Sequence, residues 1–392
     1  MGSWGAWTVC AFDFCIYNLV LTDIAEFYQI STTKAVWLIT LTLVARLFGG
    51  TLGGMLTDRF GARRVLVAAL LWVGGCNAAI AVAPTFGHVS LLRALFGVGM
   101  GATWTACATL ATSQLSATRR GIGSGVMQSG WAAGYFIAAA VTPALAGRFA
   151  WQAVYACSAI LSVCVSVLFL FAPQGQKNAS TVHIQLEHGS THNQPTLAAW
   201  IWALSFLSLA FVQYYALFAL FPTLVASQRG DYQNHVLFYA LGMLMGTPLQ
   251  GVAVARLPAK WVVATSCVLA VGAAPFYLGL AEGGMSSGAF VVGLTSGGLA
   301  GVTPYLLDHL FPRRTRGRDF GIVYNAAAFV TSVVPAAIAS VAHTSNNGTA
   351  LAMYVVAAVG LSGCGVAMFF FARVVAGTRS CSDDTLPSIA SE

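Results

Sequence analysis

Long apolar runs separated by short polar turns follow one another along almost the whole of this chain. Hydropathy, punctuated by Gly, Pro and charge, gives twelve runs: 4–27, 34–56, 64–83, 89–113, 121–146, 150–172, 197–226, 235–255, 261–281, 286–311, 320–342 and 350–372. Runs of about 20 residues or more, rising 1.5 Å per residue, cross a hydrocarbon core ~30 Å thick as helices. Spanning strands would show as segments of alternating polarity about ten residues long, a pattern foreign to this chain. The expectation is an all-α integral membrane protein. Its first run begins at Trp4 with no basic leader before it and no small-residue cleavage site after it, so a retained span is expected.

The polar intervals organise the spans. The longest, PQGQKNASTVHIQLEHGSTHNQPT, falls between the sixth and seventh runs. It predicts an N-terminal six-helix bundle at 1–172, a cytoplasmic linker at 173–196, a C-terminal six-helix bundle at 197–374 and a cytoplasmic tail at 375–392. His183, His188 and His192 in the linker fit either a solvated connector or a metal- or pH-sensing cluster. The halves also echo each other: GMLTDRFGARR from Gly54 aligns with GVAVARLPAKW from Gly251, and RGIG at Arg120 with RDFG at Arg318. A duplicated six-helix unit whose halves meet at a central site is the plan of an alternating-access transporter.

Charge fixes the orientation. The chain is 57% hydrophobic and 8% charged, against about 25% charged in soluble domains. With the N-terminus inside, 14 of the 19 Lys and Arg fall in turns and a tail on one side, and only Lys34, Arg148 and Arg229 on the other. Cationic loops resist translocation, so the arginine-rich side is expected to be cytoplasmic, with both termini there, in a cell membrane. The net charge of +7 is therefore topological, and no basic stripe with interleaved aromatics suggests a nucleic-acid partner. The nine Cys are scattered singly, without the CxxC spacing of a metal or redox site. No metal and no cofactor beyond a coupling proton is expected.

The loop GMLTDRFGARR resembles the signature of the major facilitator superfamily, and span number, halves and orientation extend that resemblance over the whole chain. It implies a cytoplasmic gate built from Gly54, Asp58, Arg59, Gly61, Arg63 and Arg64, with Asp58 latching onto Arg316 or Arg318 of the opposite half. In the second copy Ala255 stands for the Asp and Pro258 for the Gly, so the latch is expected to be asymmetric. RALFGVGMGA from Arg93 resembles the fourth-helix pattern of the superfamily. The fifth span lacks the Gly-Pro pair of the superfamily's antiporters, which favours symport or uniport over efflux.

Two ionisable residues lie deep in the early spans. Asp13 in AFDFCIYN is about 15 Å into its helix at 1.5 Å per residue, and Arg46 is midway along the next. Intramembrane charges are costly and face cavities or partners. The two are expected at comparable depth on antiparallel neighbours, either as a structural ion pair or as a proton site answering an anion-binding arginine. Arg93, a turn inside its span, either joins them or snorkels to the surface. AFDFCIYNLVLTDI followed by LVARLFGGTLGG resembles the sialate/proton symporter family and related carboxylate/proton permeases, and RGRDFGIVYNAA before the eleventh span does so too. Thr103-Trp104 stands where the bacterial sialate permeases carry an acid, and their additional central helices have no counterpart here.

The leading expectation is a proton-coupled symporter taking up a small organic anion, such as a carboxylate or acidic sugar, as a monomer in the bilayer. Asp13 would carry the proton. Arg46, Arg93, Tyr17, Asn18, Trp104, Gln128, Tyr214, Tyr215, Tyr324 and Asn325 are the candidate substrate contacts, with Trp131 beside them. The alternative is an exporter of amphipathic drugs or siderophore-like compounds, and a more distant one a non-transporting polytopic receptor. No nucleophile with a base and no deep histidine suggests an enzyme.

Overall fold

The computed structural model describes residues 2–113, 115–116, 119–171, 195–218, 232–341 and 346–380, and no strand occurs among them. The first half comprises α1 (Gly2–Leu19), α2 (Leu21–Phe27), α3 (Thr32–Phe60), α4 (Ala62–Ala81), α5 (Phe86–Ser113), α6 (Arg120–Phe149) and α7 (Trp151–Phe171). The second comprises α8 (Leu197–Phe218), α9 (Tyr232–Arg256), α10 (Ala259–Tyr277), α11 (Met285–Thr295), α12 (Thr303–Leu310), α13 (Arg316–Val330), α14 (Val334–Val341) and α15 (Asn346–Ser380). Residues 173–194 of the expected linker, its three histidines among them, and residues 381–392 of the expected tail lie outside the described residues.

The burial pattern is that of a protein in lipid. Phe48, Leu168 and Val268 are 62%, 69% and 72% exposed, while Asp13, Asn77, Arg93 and Asp319 are each 0% exposed. Apolar side chains outside and polar ones inside are stable only where the surroundings are as apolar as the core.

Among the described residues, ten helical stretches are long and apolar enough to span, Met285–Leu310 taken as one, and α1 with α2, bent by 55° between them, makes an eleventh. The remaining expected span, 320–342, is split into α13 and α14. Pro335, the second residue of α14, has no N–H to continue the α13 ladder, and its ring crowds the carbonyl four residues back, at Thr331, where the helix breaks. The expected span 286–311 is also interrupted, by a 3-10 segment at Gly297–Val302. Its freed backbone is satisfied by side chains: Gln250 Nε2 donates to Leu294 O (3.2 Å) and Thr295 O (2.8 Å), and Ser124 Oγ of the other half donates to Gly301 O (2.6 Å).

The halves meet through α3 on α13 and α6 on α9. Both contacts reach the arginine-rich face. Gly54 lies directly against the Gly317 carbonyl, leaving no space for a Cβ. Gly61, at φ +87°, turns the chain from α3 into α4 in a conformation costly for any residue with a side chain.

Candidate functional site

A cavity lies between the halves near mid-span, admitting the centres of water-sized spheres over about 60 Å³. That is room for roughly four to six waters at ~10–15 Å³ each. Of the residues singled out from sequence, Arg46, Gln128, Trp131, Tyr214, Tyr215 and Tyr324 line it. Trp7, Phe14, Phe211, Gln213, Thr247 and Ser296 line it as well and were missed. Gln213 carried a usable signal, being a primary amide inside an apolar run beside Tyr214; the others look like ordinary helix-packing residues until the bundle is assembled.

Among the described residues, Arg46 is the one charged residue lining the cavity. It is 3% exposed, and its Nε and Nη2 make no hydrogen bond. Those two nitrogens form one edge of the guanidinium plane, the edge that grips a carboxylate through two parallel bonds. The Arg46 Cζ lies 5.0 Å from the centroid of the Tyr324 ring, which stacks on Trp104 at 3.4 Å with 8° between planes. Trp104 Nε1 donates to Gln128 Oε1 at 3.1 Å. Because an indole N–H only donates, this bond commits the Gln128 oxygen and leaves its NH₂ as a donor. Gln213 likewise accepts from Ser296 Oγ through Oε1, and Trp131 Nε1 donates to Tyr214 O–H at 2.6 Å, freeing that phenol to donate. The cavity is thus walled by aromatics, rich in donors, and positive.

Asp13 is elsewhere. It accepts from Ser158 Oγ and, at 2.8 Å, from Ser162 Oγ, two hydroxyls one turn apart on α7. Asn77 Nδ2 of α4 donates to Ser158 Oγ at 2.7 Å. The expected proximity to Arg46 is not found. Equal depth does not fix which way a helix faces: α1 packs on α6, α7 and α5, whereas α3 packs on α5 and α13. Arg93 does not snorkel; it is 0% exposed, with its Cζ 4.6 Å from the Tyr17 and Phe96 ring centroids and 5.7 Å from that of Phe14, and its nitrogens make no hydrogen bond.

Four further expected substrate contacts lie, with Arg93, outside the lining of this cavity. Neither Arg93, Tyr17, Asn18 nor Asn325 lines the cavity. Tyr17 shares the Asp13 face of α1 and donates its hydroxyl to Ala35 O at 2.7 Å. Asn18 is partly buried near the end of α1. Asn325 Nδ2 donates to Gly321 O at 2.7 Å, pressed against Gly50 of α3, so it joins helices rather than facing a ligand. Trp104, also outside the lining, braces two residues that are in it.

The latch departs from expectation in its chemistry. Asp58 accepts from the backbone N–H groups of Gly317 and Arg318, both at 2.9 Å, rather than from an arginine side chain. These are orphan donors of the first turn of α13, at the positive end of its dipole, and they hold a carboxylate without ordering a long side chain. Arg316 Nη2 and Arg120 Nη1 instead converge on Asp308, at 2.6 and 2.7 Å, tying both halves to one carboxylate. Arg318 Nε pairs with Asp319 at 2.9 Å. Arg63 donates to Phe169 O, Arg59 lies 5.2 Å over the Phe60 ring, and Arg64 is exposed. With both contacts made, the structure is shut on the arginine-rich face.

Residues 4–234 match the family model of the Major Facilitator Superfamily. The chain belongs to that superfamily. This major facilitator protein is similar to the cis,cis-muconate transport protein of Acinetobacter baylyi, at 24% identity over 359 residues, 86% of this chain and 85% of the relative. It is also similar to the sialic acid transporter NanX of Escherichia coli, at 21% over 342 residues, 83% and 82% of the two chains. The proton:xylose symporter XylE, solved with 6-bromo-6-deoxy-D-glucose, shares its fold at a TM-score of 0.74 and 16% identity, over 95% of this chain and 94% of that one. This superfamily member is a multi-pass membrane transporter of a small molecule, not an enzyme.

Proposed function

We propose that the protein takes up a small organic carboxylate together with a proton by alternating access. The observation that carries this reading is Arg46, the single charge among the described residues that line the cavity, with its Nε and Nη2 unengaged. A buried guanidinium without a counter-ion is costly, and an incoming carboxylate relieves that cost while the aromatic walls take its apolar body. The names of the relatives, which include a muconate and a sialic acid transporter, agree with an acidic substrate.

Asp13 is the proton site of this reading. Its serine partners suit either state of the acid: both hydroxyls donate to a carboxylate, and one rotates to accept when the acid is protonated. Phe14 lines the cavity, and its ring lies 5.7 Å from the Arg93 guanidinium outside that lining, so substrate and proton occupy separate but adjoining compartments in this reading. The arginine-rich face is the cytoplasmic one in a cell membrane, the protein works as a monomer, and it needs no cofactor beyond the coupling proton. Proteoliposomes decide the matter: accumulation of benzoate or cis,cis-muconate driven by an inward proton gradient, abolished by Asp13→Asn with exchange retained, is the expected result. Accumulation indifferent to the gradient refutes the coupling, and no saturable binding of any carboxylate refutes the substrate class.

A further inference from the structure

Tyr324 belongs to the second half, yet two side chains of the first hold its ring. The Trp104 indole stacks on it at 3.4 Å and the Arg46 guanidinium lies 5.0 Å from its centroid, while Phe211 of its own half meets it at 5.0 Å and 70°. Tyr324 lines the cavity, and the next turns of α13 toward the arginine-rich face are in backbone contact with α3, Gly321 against Gly50 and Gly317 against Gly54. The ring therefore lies between the cavity and that seal, which the side chains of Asn325 and Thr105 flank. For the halves to part on this face, α13 must leave α3 and α5, and Tyr324 must withdraw from its two partners. The grip exists only in the closed state.

We propose that Tyr324 is the floor gate of the cavity, clamped shut by Arg46 and Trp104 and loosened when an anion takes Arg46. Attraction between a guanidinium and a ring comes from the field of the cation on the ring's negative face. A carboxylate on the Nε/Nη2 edge cancels much of that field, so the ligand binds better to an arginine that has released Tyr324. A ligand shifts a two-state equilibrium only by such a differential affinity, and here one side chain supplies it. The ligand-linked half of the proposal rests on the carboxylate reading of the cavity; the clamp itself does not.

The test uses the full chain in liposomes, with Cys157, Cys164 and Cys381 replaced by Ser and Thr105→Cys added. Thr105 lies in the seal, its hydroxyl 3.0 Å from Gly101 O and 3.5 Å from Gly50 O. Alkylation by a membrane-impermeant maleimide applied to the arginine-rich face reports opening. Without ligand, Tyr324→Leu is expected to raise the rate about tenfold, the scale of a desolvated cation–ring contact, and Tyr324→Phe, which keeps the ring, by less than about twofold. An unchanged rate in Tyr324→Leu, or an equal rise in both variants, overturns the clamp. If Tyr324→Leu does not fold, Trp104→Leu removes the other partner of the ring and the same rise is required of it.

Saturating benzoate is then expected to raise the rate severalfold in the protein with Tyr324 and not at all in Tyr324→Leu. Benzoate that binds and leaves the rate unchanged overturns the link between anion and gate. If neither benzoate nor cis,cis-muconate binds, the carboxylate reading fails together with that link, and the clamp is judged on the ligand-free comparison alone.

Discussion

Removing the Arg46 charge is the sharpest test of the cavity. A carboxylate on the Nε/Nη2 edge makes two charge-assisted hydrogen bonds, each contributing roughly 1.5–3 kcal/mol. The two share one desolvation cost, so Arg46→Gln is expected to lose ~3 kcal/mol, or roughly 150-fold in Kd. Arg46→Lys keeps the charge but neither the planar fork nor the stack on Tyr324, and about tenfold is expected there. Trp7 and Trp131 line the cavity, so quenching of intrinsic fluorescence by benzoate or cis,cis-muconate reads the affinity directly in purified protein. Arg93→Gln is the control, since Arg93 lies behind Phe14 and outside the lining. It is expected to change Kd by less than about threefold, as a charge acting at a distance rather than through contact. An unaltered melting temperature separates lost binding from lost structure. Arg46→Gln binding within threefold of wild type, or Arg93→Gln matching its loss, refutes the assignment.

Three further outcomes follow from the geometry. Asp308→Asn leaves Arg316 and Arg120 without their shared carboxylate, and breaking such a buried pair costs ~3–5 kcal/mol; amide exchange across 308–320 is expected to rise at least about a hundredfold on that scale, and unchanged protection refutes the latch. Gly54→Val drives a side chain into the Gly317 carbonyl, so the arginine-rich face cannot close and net uptake is expected to vanish while carboxylate binding persists; normal uptake would show that α3 and α13 need not touch. Ser158→Ala with Ser162→Ala strips Asp13 of both its donors, each worth about 1–3 kcal/mol when a buried acceptor is left unpaired. Gradient-driven accumulation is expected to fall at least tenfold on that scale with exchange spared, and undiminished accumulation refutes the serine-held proton site.

Much of this was legible in the chain as text. Runs of apolar residues fix helices and their number because a backbone in lipid must satisfy its own hydrogen bonds, whatever the neighbouring helices do. The signature loop, the second copy at Gly251 and the deep position of Arg46 are likewise properties of sequence alone. The exception among the spans, 320–342, contains Pro335, and a proline marks a break only when the residues around it cannot be held by packing.

Facing directions and partners belonged to the tertiary structure. Asp13 and Arg46 have similar depths, but rotation of each helix about its axis, set by which neighbour it packs on, sends one to the serines of α7 and the other to the cavity. The latch turned on the same distinction: sequence comparison pairs side chains with side chains, whereas Asp58 is held by backbone N–H groups, which every residue carries and no sequence displays. The Tyr324 clamp draws three residues from three helices and both halves, a juxtaposition that exists only once the halves have closed. Sequence determined the helices, the helix ends that carry the arginines and the chemistry available in each span; packing decided which of those groups meet.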